Sequence, residues 1–439
     1  MVSKVDRSPG VDSSGVFRRP RIILRPKKVE DIPTILQNTK SYPTPVRPLG
    51  ADYSQARCVG GDGGTTLDMQ PFNKILEIEG SLVRAQAGVR VGDLVRSLAE
   101  RGLELPLTPE IANISLGAVA TACLPQPSLQ DGLAQMSSCV VAMKIITPQG
   151  KAMTVTDREP DLMRVLRSSY GLLGVVHELV LKVRDIVPVK IDYQSFSLKE
   201  FSARFPAIVD APGALRLQIF PFNDRITVER RILDEDASTS RSGIWQIRNS
   251  VLKNVLPAFG SSVGGMLAVP AHATLNRAAR GVVMYAHEWM RELPREAWKA
   301  RFTYSMWAFA QAEFPRLLAE YFAFCHAYYK QHRYRCNIVH TSSRLHRDRN
   351  SLFSLSYDGA AFTIEPSSVG DKGWDDFLID FNEFASRQGG TPTFNQTRAL
   401  QPQHVSKAFG ERLKLFRSLR KRTDPINRLQ HGYFAHLLG

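Results

Sequence analysis

The sequence predicts an α+β protein of two domains, and three observations carry that prediction. At 439 residues the chain exceeds the size at which one hydrophobic core stops growing. Strand-like and helix-like segments are mixed without regular alternation, which disfavours a doubly wound parallel sheet. No G-x-G-x-x-G follows the first strand, which argues against a Rossmann unit.

In chain order, Arg21–Leu24 reads as a short strand that turns at Pro26. Val29–Thr39 reads as a helix, with Val29, Ile32, Ile35 and Leu36 on one face and Pro33 in its first turn. Val46–Ser54 is a strand running into a Gly-containing loop, and Leu67–Ile78 and Leu82–Ala87 alternate as strands. Gly92–Arg101 has helical spacing through Leu94, Val95 and Leu98. Val140–Thr147 turns at Pro148-Gln149-Gly150 and returns through Ala152–Val155 as a hairpin. Val175–Val183 is a further strand, on which His177 shares a face with Leu179 and Leu181 and reads as a core histidine. The texture changes after Pro188, which places a boundary near Ile186. Aromatic clusters at Phe302–Phe314 and Tyr321–Tyr329 then read as core.

The composition excludes several classes. An apolar fraction of 43% suits a packed protein rather than a disordered one. Cys58, Cys123, Cys139, Cys325 and Cys336 are scattered and form no C-x-x-C pair, against both a disulfide framework and a zinc site. The polar residues 1–21 lack the apolar stretch of a secretory signal, and no run matches a membrane span. A soluble, cytoplasmic protein is expected. The net charge of +15 is concentrated at Arg241–Arg280, which has no acidic residue, and at Arg398–Arg428. It reads as a solvated basic surface, or as attraction to an anionic substrate or a peripheral anionic membrane. Nucleic acid is disfavoured because no recognition motif accompanies the charge.

Four segments, taken in order, carry a more specific signal. The first is Val46-Arg47-Pro48-Leu49-Gly50-Ala51-Asp52-Tyr53-Ser54. The second runs from Thr108-Pro109 to Ser115-Leu116-Gly117-Ala118-Val119-Ala120-Thr121-Ala122. The third is Ser168-Ser169-Tyr170-Gly171-Leu172-Leu173-Gly174-Val175-Val176. The last is Gly389-Gly390-Thr391-Pro392, a helix, and Asp424-Pro425. Together they resemble the FAD-binding flavoproteins related to vanillyl-alcohol oxidase. Within that group the sugar-lactone, alditol and polyprenyl-phosphoryl-ribose oxidases are the most similar.

The resemblance implies a PCMH-type FAD-binding domain of two α+β subdomains over 21–187, after a polar arm at 1–20. It further implies a substrate or cap domain over 188–400, with an antiparallel sheet flanked by helices. A C-terminal helix and tail (401–439) would return to the FAD domain. The first segment would form an anion nest for the FAD pyrophosphate through Pro48, Leu49, Gly50, Ala51, Asp52, Tyr53 and Ser54. Thr108, Ser115, Leu116, Gly117 and Thr121, and then Gly171, Gly174, Val175 and Val176, would complete the cofactor site. The implied reaction is oxidation of a CH–OH group of a sugar, lactone, polyol or related intermediate. Dioxygen or another carrier would take the electrons.

The sequence departs from the family at telling positions. Tyr53 stands where many relatives carry the histidine bonded to the flavin, which implies non-covalent FAD. The second common histidine falls at Leu124, beside Cys123, which reads as a packed thiol. Gln396 replaces the family's lysine near the flavin, and Ser342-Ser343-Arg344 keeps the arginine of an E-x-R strand while losing its carboxylate. The candidate catalytic residues are therefore Arg344, His346, Gln396 and Tyr304, with Tyr357 behind them. Arg344 would hold an anionic group or pair with Asp348, and His346 is a base or a surface histidine. Two alternatives stay open: a lipid-linked-sugar oxidase at a membrane surface, and a non-catalytic FAD-binding protein.

Overall fold

The computed structural model describes residues 3–4, 21–56, 58, 63–237, 240–251, 260–293 and 303–439, with side chains left out for 260–268. Phe302 of the first aromatic cluster lies outside the described residues.

The N-terminal part is built on two small sheets. In the first, Thr65–Asp68 pairs in parallel with Ile22–Arg25 on one side and Val46–Leu49 on the other. The helix Asp31–Gln37 carries the chain from Ile22–Arg25 to Val46–Leu49, the two strands on either side of Thr65–Asp68, and buries Ile32, Ile35 and Leu36 as the spacing predicts. That face packs on Leu24, Val46 and Leu67, and on Leu429 from the far end of the chain.

The second sheet is antiparallel and five-stranded, ordered Ile75–Glu79, Leu82–Gln86, Val175–Lys182, Val140–Ile146, Ala152–Thr156. The expected hairpin forms in register from Ala142↔Thr156 to Ile146↔Ala152. His177 is half-buried on the central strand, at a register shift between Val176 and Glu178.

One expectation is corrected here. Leu67–Ile78 is two strands in two different sheets, broken between Met69 and Lys74. Pro71 has no ladder donor, and Asp68 Oδ1 accepts the amide of Gln70 at 3.1 Å, which turns the chain out of the first sheet.

From Val189 onward the described strands form one nine-stranded antiparallel sheet. Its centre is Arg225–Leu233, Ala214–Phe220, Ile338–Leu345 and Ala361–Ser368. The helices Leu198–Asp210, Phe314–His332 and Trp374–Arg387 flank it. Phe205, Phe314 and Phe362 meet between helix and sheet, with ring centroids 4.5 Å apart for the last two. Trp307 is fully buried and donates from Nε1 to Asn382 Oδ1 at 2.9 Å. Trp307, Phe309, Phe314, Tyr321, Phe322 and Tyr328 are core, as read, whereas Tyr329 is exposed and Tyr304 is only partly buried.

The helix Pro402–Thr423 buries Val405, Phe409, Leu413 and Phe416 and is kinked at Gly410. Asp424 then turns the chain by accepting the amides of Arg428 (2.7 Å) and Leu429 (2.8 Å). The tail reaches the first sheet, where Val46 donates its amide to the carbonyl of Arg428 at 2.7 Å. The guanidinium of Arg428 is wholly buried and donates to the carbonyls of Ile35 and Leu36 and to Thr44 Oγ1.

Among the described residues, no helix is long and apolar enough to cross a membrane. All five cysteines are free. No group of histidines, cysteines and carboxylates among the described residues is arranged to hold a metal ion.

Candidate functional site

The N-terminal sheets and the nine-stranded sheet enclose a cavity of about 410 Å³. One wall is the loop Gly50–Ser54, which leaves the strand Val46–Leu49. Asp52 takes a positive φ of 57°, which curls the loop. Among the described residues, the amides of Gly50, Ala51 and Ser54 donate to no backbone carbonyl. A Cβ on Gly50 would overlap the Ser115 hydroxyl, which would have to move to admit it. Ser115 is buried, lines the cavity and finds no partner for its Oγ, and the buried Oγ1 of Thr108 also lacks one.

Arginine and asparagine side chains set the loop in place. Arg47 is 2% exposed and donates to the carbonyls of Cys58, Tyr170 and Leu429. Asn395 ties the third segment to the residues that directly follow the first and the second. Its carbonyl accepts the amides of Gln55 and Ala56, its Nδ2 donates to the carbonyl of Cys123 at 3.0 Å, and its Oδ1 accepts the Tyr170 hydroxyl. Tyr53 lines the cavity and donates its hydroxyl to the carbonyl of Leu293 at 2.6 Å.

The floor is the nine-stranded sheet. Residues two apart on a strand face the same way, and the register brings three strands into line. Arg216 stands opposite Ser343, Gln218 opposite Thr341, and Thr341 opposite Glu365. All five line the cavity. Glu365 is 8% exposed and accepts the hydroxyls of Thr363 (2.6 Å) and Thr341 (2.8 Å). Burial and the charge of Glu365 hold the Tyr304 phenol well above its ordinary range, so it stays protonated as a donor. Gln396 completes the rim, buried, its amide donating to Thr393 Oγ1 and its Oε1 without a partner.

Of the residues singled out from the sequence, Gly50, Ala51, Asp52, Tyr53, Ser54, Ser115, Tyr304 and Gln396 come together on this cavity. Others stand behind it. Leu116 and Gly117 spend their amides on the carbonyls of Val89 and Ala87, and Thr121 bonds back to Gly117. Gly171 lets the third segment pack on Pro48, beside Leu49. Gly174 packs on the Ile146 carbonyl, and Val175 and Val176 are ladder residues against Ile146 and Ile145.

Arg344 and His346 lie elsewhere. With Ser343 facing the cavity, Arg344 faces away and donates to Gln311 Oε1 and the carbonyl of Val209. It does not pair with Asp348, which is buried against Ala134, Ser138 and Asn350. His346 contacts Asp131 at 2.6 Å, and burial lowers its pKa. Tyr357 stacks under Arg412. Cys123 is a packed thiol, its pKa pushed up to about 12 by burial.

The residues present fit FAD: a curled loop whose amides at Gly50, Ala51 and Ser54 bond no backbone carbonyl among the described residues, a glycine packed against Ser115, and the unpartnered Ser115 hydroxyl on the same cavity. Known proteins agree. Residues 20–156 match the family described as the FAD binding domain. The D-lactate dehydrogenase [cytochrome] of Arabidopsis thaliana is 27% identical, over 38% of this chain and 31% of its own length. The D-arabinono-1,4-lactone oxidase of Eremothecium gossypii is 22% identical, over 54% of this chain and 48% of its own. The chain thus spans less than half the length of these curated relatives. Cholesterol oxidase from Brevibacterium sterolicum superposes over 100% of this chain and 98% of its own, with TM-score 0.74 at 14% identity, and so shares the fold. Residues 20–156 thus match the FAD binding domain family, and the chain as a whole shares the fold of the cholesterol oxidase structure.

Proposed function

We propose that the chain oxidises a CH–OH group of a small polar substrate, using FAD held without a covalent bond. The observation that carries this reading is that Glu365, Tyr304 and Gln396 line the same cavity as the loop Gly50–Ser54. FAD, when bound, supplies the hydride acceptor. The loop amides and Ser115 would hold its pyrophosphate side, and the Tyr53 ring offers no imidazole nitrogen for a covalent bond.

Alcohol oxidation also needs a group that takes the hydroxyl proton. Glu365 fills that role, oriented by Thr341 and Thr363 and set beside the protonated Tyr304. Arg216, Gln218 and Gln396 fix the other substrate oxygens. The carboxylate absent from Ser342-Ser343-Arg344 is thereby replaced by one from the neighbouring strand.

The relatives named above act, by their names, on lactate and on a sugar lactone, which supports a small oxygen-rich substrate here. The test is the absorbance spectrum of the purified protein before and after acid precipitation, followed by anaerobic addition of sugar lactones, polyols and hydroxy acids. Flavin bands that pass wholly into the supernatant and bleach with one of these compounds support the reading. Flavin that none of them bleaches favours a non-catalytic role. Reoxidation of the bleached flavin by air, or its absence, separates dioxygen from another electron acceptor.

The basic stretch Arg241–Arg280 also allows contact with an anionic membrane surface. Salt-sensitive sedimentation with anionic liposomes tests that contact.

A further inference from the structure

The helices Ser242–Ser250 and Gly260–Ala278 contribute a second set of polar groups to the cavity, and neither the proton-acceptor role nor the flavin loop uses them. Arg248, Asn249 and His272 are 3%, 3% and 5% exposed, and all line the cavity. The acid-free basic stretch therefore turns one of its arginines inward.

A continuous run of hydrogen bonds orients the three. Arg248 donates from Nε to Asn276 Oδ1 at 2.7 Å and from Nη1 to Asn249 Oδ1 at 2.5 Å. Asn276 Nδ2 donates to Gln218 Oε1 at 3.3 Å, and the same oxygen meets His272 Nδ1 at 2.9 Å. Because Gln218 Oε1 only accepts, His272 carries its proton on Nδ1, and Nε2 is left as a bare acceptor. Burial, and then the charge of Arg248, push the His272 pKa down to about 3, so the ring is neutral. The Phe220 ring holds it edge-on at 4.9 Å.

Three atoms then remain buried without a partner among the described residues: Arg248 Nη2, Asn249 Nδ2 and His272 Nε2. Two are donors and one is an acceptor. Among the described residues, the hydrogen-bond partners of Arg248 are neutral amides; the carboxylate of Glu229, bonded by Arg231 at 2.7 Å, acts on Arg248 through its charge and leaves the Nη2 donor unmet. A buried donor so placed is costly until an acceptor meets it.

Resting on the reading of this cavity as the substrate site, we propose that Arg248, Asn249 and His272 form a subsite for a hydroxylated anion, the two donors gripping an oxyanion and His272 Nε2 accepting from a neighbouring hydroxyl. Sugar acids and sugar phosphates share this chemistry.

The test is calorimetric titration of the flavin-loaded protein with D-gluconate, glucose 6-phosphate, hexanoate, inorganic phosphate and glucitol. Binding, not electron transfer, is read, so the result stands even where no flavin bleaching is seen. Gluconate or glucose 6-phosphate should bind about tenfold or more tighter than glucitol, and about tenfold tighter than its hydroxyl-free counterpart. The better of the two identifies carboxylate or phosphate as the anion. His272→Phe should abolish the preference for gluconate over hexanoate, and Arg248→Gln the preference over glucitol. Equal binding of glucitol and both anions by the unaltered protein, or no binding of either anion, would overturn the proposal without any variant having to fold. Retention of the hydroxyl preference in a folded His272→Phe protein would do the same.

Discussion

Gly50 and Ser115 pack so closely beside the cavity that a single methyl group on the first would come within 2.0 Å of the hydroxyl oxygen of the second. The loop and the N-cap of the helix Leu116–Thr121 are thereby fitted as one surface. Overpacking of this kind costs roughly 1–3 kcal/mol, and here it would be relieved by moving the loop. We predict that Gly50→Ala and Gly50→Val lower the ratio of flavin to protein absorbance severalfold. The double variant Gly50→Ala, Ser115→Gly should recover most of it. Failure of the double variant to recover would mean that the loop, not the contact, is what glycine serves.

Asn395 holds the carbonyl of Cys123, the hydroxyl of Tyr170 and the amides of Gln55 and Ala56 together. Only the side-chain bonds are lost in Asn395→Ala, at a cost of about 1–3 kcal/mol for the buried groups left unpaired. The melting temperature should fall by several degrees. Added FAD should restore less of it than in the unaltered protein, since the segments misaligned are those that hold the flavin.

Replacing Tyr53 by histidine puts an imidazole on the cavity wall and removes the bond to the Leu293 carbonyl. The expected outcome is flavin that stays with the protein pellet after acid precipitation. Complete release would place the flavin ring away from residue 53.

Glu365→Gln keeps the shape of the floor and removes the proton acceptor. The rate of flavin bleaching by substrate should fall about 10²–10⁴-fold, with flavin content and melting temperature nearly unchanged. A loss of tenfold or less would assign the proton to another group.

Burial raises the pKa of Glu229, but Arg231, Arg248 and Arg216 together outweigh it and hold the carboxyl at about 2, against an ordinary 4.5. A carboxylate depressed on folding stabilises the fold above its unfolded pKa, and that share is lost as pH falls toward the folded value. Stability should therefore drop steeply between pH 4.5 and 2. Glu229→Gln should be less stable at pH 7 and show a flatter decline across that window, measured by urea unfolding at a series of pH values.

How far the sequence could be read depended on whether a feature was contiguous. Gly50–Ser54 is one string of residues, and the hairpin at Pro148-Gln149-Gly150 is local, so both were legible. Glu365 was not, because nothing near it in the chain marks it. It becomes part of the site only through the pairing of Ala361–Ser368 with Ile338–Leu345. The same register decides the placement of Arg344, since one residue along a strand separates the cavity face, where Ser343 lies, from the opposite one. Arg248 was counted as surface charge, because composition records sign and not depth. Leu67–Ile78 kept its apolar alternation through Pro71, and the backbone requirement of the ladder overrode the pattern.

The tail that carries Arg428 and His431 also has a bearing on when the cofactor can be retained. His431 Nε2 donates to the carbonyl of Cys58 at 2.6 Å, and Arg47 reaches the carbonyls of both Cys58 and Leu429. The flavin loop is thus braced by residues translated hundreds of positions after it. While the chain is still on the ribosome, its N-terminal sheets can form, but the loop lacks its brace. Flavin capture should then be a late event, gated by the emergence of residues 428–431, and nascent chains stalled before residue 428 should be colourless.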